Sequence, residues 1–309
     1  MEKILDLVIT QFLSQLCSRW ISFERSEPFI CDIDLHCLSK AEWTGFMKAR
    51  IQSDEYKPSW VAAFSRHFMG HEGYIADEII HHLRLAQSYN AEFITYHSKH
   101  YPRLLKHIGD PPAALTCLGR LDILSNNLNT AIVGSRKACT QAKKESFLIA
   151  QSLGLLGHTI VSGGALGIDT AAHMGAISYH APIKPSTIGV MAGGLGQLYP
   201  KSNFDLFDDI RRNGGLLISE KLWHHSPRPI DFPIRNRIIS GLCETTLVMQ
   251  SAKASGSMVT ADLALRQGRD VCVYLPNHFD QDYSGNLYLI ENGSPFFNSN
   301  KDYLNHHVY

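Results

Sequence analysis

The hydrophobic positions of this chain change their pattern near residue 93. Before it they recur at helical spacing: Ile4, Leu5, Val8, Ile9, Phe12, Leu13 and Leu16 share one helix face, and helical patches follow at 40–51, 60–67 and 75–87. No stretch of strand alternation breaks that series, so residues 1–92 are expected to form a small helical domain. After it come short apolar runs, each stopped by glycine or a small polar residue. Ala131-Ile-Val133 stops at Gly134-Ser135-Arg136, and Thr159-Ile-Val161 stops at Ser162-Gly163-Gly164. Between them Thr140 can cap a helix that Gly157 ends. Further strands are predicted at 187–191, 216–218, 245–249 and 271–275, with helices at 204–212 and from Ser255 to about Gln267. Phe93-Ile-Thr-Tyr96 is a possible earlier strand, and Pro102, Pro111 and Pro112 make residues 96–130 an extended lead-in. Apolar strands without polar alternation imply a sheet covered on both faces. Their regular exchange with helices implies an α/β fold over 93–309, an extended Rossmann-like doubly wound sheet.

Composition narrows the setting. Lys+Arg and Asp+Glu are both 29, so a surface for an anionic partner has to be local. The seven cysteines are scattered and form no C-x-x-C pair, which suits reduced thiols in the cytoplasm better than disulfides or zinc. Glu2 and Asp6 interrupt the first apolar helix, which argues against a secretory signal. No uncharged run approaches the roughly 20 residues of a membrane span, so no membrane partner is expected.

In a doubly wound sheet the glycine loops share the carboxyl edge, where ligands bind. Glycine lets backbone approach a phosphate closely, and a helix N-terminus offers it free N–H groups. The candidates are Gly134 and Ser135 after the first of these strands, Ser162 and Gly163 after the second, and Gly194 after the third. Ser255, Gly256 and Ser257 open a later helix. G-x-G-x-x-G does not follow the first strand and no acidic residue ends the second, which argues against a nicotinamide dehydrogenase. G-x-x-x-x-G-K-[ST] is absent too, and no cofactor is expected.

The basic residues add chemistry to this edge. Arg136 and Lys137 stand in the first loop, and Phe232-Pro-Ile-Arg235-Asn236-Arg237 is placed in a later connection. Arginine contacts phosphate bidentately, and phenylalanine offers an unpaired base a stacking face. Arg235 or Arg237 can instead pair with a buried carboxylate such as Glu220. We expect one of the two to be structural and the other to face ligand. Asp169 and His173 at i,i+4 beside Ser162 raise a hydrolase, but G-x-S-x-G is absent and Asp169 reads more simply as a helix cap. No catalytic residue is assigned. His67 and His71 are also i,i+4, but Gly70 separates them and no carboxylate or cysteine completes a ligand set, so no metal site is assigned.

Several runs together resemble the DprA (Smf) family of DNA-processing proteins. They are Tyr101-Pro-x-Leu-Leu, Val133-Gly-Ser-Arg136, Val161-Ser-Gly163 with Gly167-Ile-Asp169, Ser219-Glu220, Phe232-Pro-x-Arg-Asn-Arg-Ile-Ile239, Ser255-Gly-Ser257 with Thr260-Ala261, and Ser284-Gly-Asn286. The resemblance implies a non-enzymatic homodimer that binds single-stranded DNA and loads the RecA recombinase during natural transformation. It places DNA contacts on Gly134, Ser135, Arg136, Phe232, Arg235, Asn236 and Arg237. The chain stops at Tyr309, so a short form without the family's C-terminal winged-helix domain is expected. A nucleotide-binding module or a LOG-type phosphoribohydrolase on the same sheet is the competing reading, although Leu263 stands where that enzyme's glutamate belongs.

Overall fold

The computed structural model describes residues 81–96, 98–178, 186–279 and 282–307. The helical patches expected at 4–16, 40–51 and 60–67, the His67 and His71 pair, and residues 75–80 lie outside the described residues. Within them, a helical turn at 81–88 leads into β1 (Glu92–Thr95), the short α1 (Arg103–Lys106), β2 (Ala114–Gly119) and β3 (Asn129–Val133). Then come α2 (Thr140–Leu155), β4 (Thr159–Ser162), α3 (Ile168–Ile177), β5 (Ser186–Val190), α4 (Phe204–Arg212) and β6 (Leu216–Ser219). The chain continues through α5 (Asp231–Gly241), β7 (Thr245–Val248), α6 (Gly256–Arg266), β8 (Asp270–Tyr274), α7 (Ser284–Glu291), β9 (Phe296–Phe297) and α8 (Asn300–His307).

Among the described residues the strands form one sheet of nine, in the order β1-β2-β6-β5-β4-β3-β7-β8-β9. The pairs from β6 across to β9 are parallel, while β1 and β2 extend the β6 edge antiparallel. The chain winds from β3 outward through β4, β5 and β6, then returns to β7 on the other side of β3. The strand order therefore reverses between β3 and β7, the position where open α/β sheets leave a crevice.

Alternate residues of each central strand serve opposite layers, which is why the strands read as unbroken apolar runs. Val133, Val161, Val190 and Ile218 pack on one face with Ile238, Ile239 and Leu242 of α5, Ala261 and Ala264 of α6 and Leu289 of α7. Ile132, Ile160 and Leu247 face the other way, onto Ala142, Ile149 and Leu153 of α2 and Ala172 of α3. Leu217 continues that second layer with Leu206, Phe207 and Ile210 of α4, and Ala86 and Trp223 join it.

Three local details differ from the sequence reading. The cap of α2 is Cys139, whose Sγ accepts the Ala142 N–H at 3.4 Å, and Thr140 is the first helical residue. Gly157 does end that helix, at a φ of +86° that few other residues adopt. Asp169 is not the cap of α3, because Gly167 holds that position with φ 83°. The run containing Arg235, Asn236 and Arg237 is helix α5 rather than a connection. Pro233 is tolerated there because it lies in the first turn, where a backbone N–H has no partner inside the helix.

Candidate nucleic-acid interface

The loop after β3 is tied down at its base and open at its tip. The Ser135 N–H donates to the Gln250 carbonyl at 2.7 Å, and the Ser135 carbonyl accepts the Ile168 N–H at 3.3 Å. The Lys137 N–H closes the turn on Ser135 Oγ at 3.1 Å. Gly134 and Ser135 are thus half-buried, while Arg136 and Lys137 project exposed beside the crevice. The Arg136 guanidinium lies over the Phe232 ring, 5.3 Å from its centroid. Tyr199, 51% exposed at the end of the loop after β5, meets the same ring edge-on at 5.8 Å. A cation and two partly exposed aromatic rings therefore stand together where a strand of bases can stack and its phosphates find a counter-charge.

Behind this surface Arg235 is buried. Its Nη1 donates to the carbonyls of Gly163, at 2.9 Å, and Val190, and its Nε donates to Asn236 Oδ1 at 3.2 Å. Gly163 is glycine because a Cβ there would lie 2.6 Å from Arg235 Nη2 and 2.8 Å from Asp169 Oδ2. Burial lowers the Arg235 pKa to about 10, with Asp169 opposing the shift and the charge of Arg136 adding to it. Burial likewise raises the Asp169 pKa, resisted by Arg235 and by the Gly163 and Ala165 N–H groups that Oδ2 accepts at 3.1 and 3.2 Å. Two guanidiniums that feel one another's charge make this corner of the edge attractive to an anion.

Arg237, two residues on, faces the opposite way. Its Nη2 and Nη1 hold Glu220 Oε2 and Oε1 at 2.6 and 3.0 Å, and its Nε lies 3.2 Å from Asp110 Oδ2. Burial works against the Glu220 charge, but Arg237 more than offsets it and holds the carboxyl below its usual range. Neither arginine of the pair reaches the open surface: Arg237 closes a buried ion pair and Arg235 braces the ends of β4 and β5. The exposed cations on this corner of the edge are Arg136 and Lys137.

The other predicted groups divide similarly. Ser162 is buried and donates Oγ to the Ile132 carbonyl at 2.7 Å, inside the sheet. The Gly163 N–H is engaged by Asp169, and the Gly194 N–H by the His225 carbonyl at 2.9 Å, so neither is presented to a phosphate. Asn236 donates Nδ2 to the Gly256 carbonyl at 3.2 Å, which joins α5 to the start of α6. Ser255 caps α6 by accepting the Met258 N–H, and its hydroxyl meets those of Ser251 and Ser257 at 2.7 and 3.0 Å. Gly256 and the half-buried Ser255 stay at the surface, while Ser257 is buried.

Ser162, Asp169 and His173 do not form a hydrolytic unit. His173 is buried with Nδ1 on Thr187 Oγ1 at 2.7 Å, and burial, helped by Arg235, takes its pKa down to about 3. Among the described residues no three His, Cys, Asp or Glu side chains gather to hold a metal, and no helix is long and apolar enough to cross a membrane.

Two residues of the site were missed in the sequence. Tyr199 carried a signal, an aromatic residue closing a glycine loop on the ligand edge. Asp231 carried none: it opens α5 and is wholly buried between His225, at 2.9 Å, Arg228, at 3.2 Å, and Lys221, at 3.5 Å. It fixes the turn of helix that presents Phe232.

Residues 92–307 match the family model described as DNA recombination-mediator protein A. The chain is 40% identical over 197 residues to the DNA processing protein DprA of Bacillus subtilis, covering 64% of this chain and 65% of that one. The chain thus spans just under two thirds of that relative's length. The X-ray structure of DprA from Streptococcus pneumoniae superposes with a TM-score of 0.65 at 30% identity, covering 88% of this chain and 94% of that one. DNA processing protein A of Helicobacter pylori, whose structure addresses its single-stranded DNA binding mode, gives 0.63 at 27% identity, covering 71% and 96%.

Proposed function

The chain belongs to the DNA recombination-mediator protein A family, and from that premise we propose that it binds single-stranded DNA along the carboxyl edge of its sheet, without sequence preference. The observation that carries the reading is the grouping of Arg136, Phe232 and Tyr199 beside the β3–β7 crevice. Stacking accepts any base, because every base has a π-face, and the guanidinium supplies phosphate affinity. Lys137 and the buried Arg235 add positive charge from either side. The Helicobacter relative's single-stranded DNA binding mode supports the same ligand.

Membership of the family supports a finer role. As a recombination mediator the protein would hold incoming DNA in the cytoplasm, act as a homodimer and load RecA, without turning over a substrate. The chemistry of the site fits holding: Arg136 and Lys137 are exposed to bind and the aromatic rings partly so, and the buried histidine and serine are engaged elsewhere.

Fluorescence polarisation of a labelled oligo-dT and a matched duplex at two salt concentrations tests the reading. The single strand should bind better, and affinity should fall steeply with salt as phosphate neutralisation releases counterions. Arg136→Ala should weaken all sequences alike by about tenfold, since a hydrogen bond to a charged group is worth roughly 1.5–3 kcal/mol. A parent-like affinity in that folded variant would overturn the site assignment. Arg235→Ala is the poorer test, because it also frees the Gly163 and Val190 carbonyls that Arg235 binds.

A further inference from the structure

The far flank of the crevice repeats the chemistry of the near one. Lys253 stands exposed in the loop after β7, and its Nζ lies 4.5 Å from the centroid of the Tyr288 ring on α7. Tyr288 is 40% exposed. This pair has the composition of Arg136 over Phe232, with a lysine for the arginine and a tyrosine for the phenylalanine.

The contacts between the two pairs are polar; Asn236, Ser251 and Ser257 are buried, and Ser255, Gly256 and Ser284 reach the surface between the flanks. From α5, Asn236 reaches the Gly256 carbonyl at 3.2 Å. The hydroxyls of Ser251, Ser255 and Ser257 then meet one another within 2.7–3.0 Å. From there the Ser251 carbonyl accepts the Gly285 N–H at 2.9 Å, and the Lys253 N–H donates to Ser284 Oγ at 3.0 Å. These contacts fix the start of α7 against the loop that carries Lys253. The loops that carry Arg136 and Lys253 and the start of α7 follow β3, β7 and β8, which are neighbours in the sheet, so the Arg136 loop and the start of α7 are two strand spacings apart, on the order of 10 Å. An extended strand crosses that gap in a few nucleotides.

We propose that Lys253 and Tyr288 form a second stacking and phosphate-binding station, so that one single strand of DNA runs from Phe232 past Ser255 and Gly256 to Tyr288. This rests on the DNA reading above and adds to it a direction and a footprint. The near station, with Arg136, Phe232 and Tyr199, holds any short oligonucleotide, and the far station acts only on a strand long enough to span the crevice.

The test is a length series in fluorescence polarisation, with labelled oligo-dT of about 2, 8 and 16 nucleotides, the shortest too short to reach both flanks and the longer two within the range over which single-strand sites saturate. Tyr288→Ala and Lys253→Ala should each cost about tenfold on the longest strand and less than about twofold on the shortest. Tyr288→Phe, which keeps the ring, should bind all lengths as the parent does. Phe232→Ala should lose affinity at every length. Both flank residues are exposed, and thermal melts of the variants should match the parent. Parent-like binding of the longest strand by Tyr288→Ala, or an equal loss at every length, would overturn the second station alone. A parent that binds no strand of any length would bring down the DNA reading and this one with it.

Discussion

Helix α5 and the loop after β3 each carry paired cations, and the two regions use them in opposite ways. On α5, Arg235 and Arg237 are two residues apart, hence on nearly opposite sides of the helix, and both are buried. One braces the carbonyls at the ends of β4 and β5; the other closes on Glu220 and Asp110. In the loop, Arg136 and Lys137 are exposed: the Arg136 guanidinium lies over the Phe232 ring, and the Lys137 N–H is held by Ser135 Oγ. The contrast separates stability from affinity. Charge on the helix holds the edge in shape, and charge on the loop is what the proposed function assigns to the ligand. Substitutions in the two regions should therefore move different observables.

The largest effect is expected at Arg237. Its removal leaves the Glu220 carboxylate buried without its partner, and breaking a buried pair from one side costs about 3–5 kcal/mol. Arg237→Met should lower the unfolding free energy by that amount, read as a lower urea midpoint with the slope of the transition kept. The double variant with Glu220→Gln should lose less than the sum of the two, because no unpaired charge remains. A stable Arg237→Met protein that binds DNA weakly would reverse the roles assigned to the two regions.

Asp231 comes next. Burial raises its pKa, but hydrogen bonds from Arg228 and His225 and the charge of Lys221 outweigh that and bring it down to about 2 from an ordinary 3.8. A carboxyl with a depressed folded-state pKa stabilises the fold above its unfolded value, and that contribution is lost as the pH falls towards 2. Asp231→Asn should therefore be about 2 kcal/mol less stable than the parent at neutral pH. The two stability curves should converge as the pH drops through about 2. Curves that stay parallel in acid would show that the carboxylate charge does not hold the start of α5.

How much of this was legible in the sequence differs between the same two regions. The strand and helix series from 131 onward could be read directly, because strands buried on both faces are apolar throughout and their glycine stops mark the carboxyl ends. The loop pair could be read too: Arg136 and Lys137 follow a strand stop with nothing acidic beside them. The helix pair could not. Pro233 made Phe232–Arg237 look like a connection, since the sequence does not reveal that a proline falls in the first turn. Which arginine meets Glu220 depends on the rotation of α5 over the sheet, a property of packing. Tyr199 needed the folded loop after β5 to bring it against Phe232. Ser162 and Gly194 stood correctly at strand ends, but which of their groups the neighbouring loops would engage is set by contacts distant in sequence.

The smallest effect sharpens the comparison most. Lys137 is exposed at the loop tip, and its backbone N–H, not its side chain, forms the turn with Ser135 Oγ. Lys137→Ala should leave the melting curve within about 0.5 kcal/mol of the parent, as surface substitutions away from packed features do. If the side chain neutralises one phosphate, affinity for every sequence should fall a few-fold, and the slope of log affinity against log salt should drop by about 1. That slope separates loop charge from helix charge, since Arg237 is bound to carboxylates already and has no phosphate to release from its counterions. An unchanged salt slope in Lys137→Ala, with the slope altered in a folded α5 variant, would place the phosphate contacts on the helix and overturn the division between the two regions.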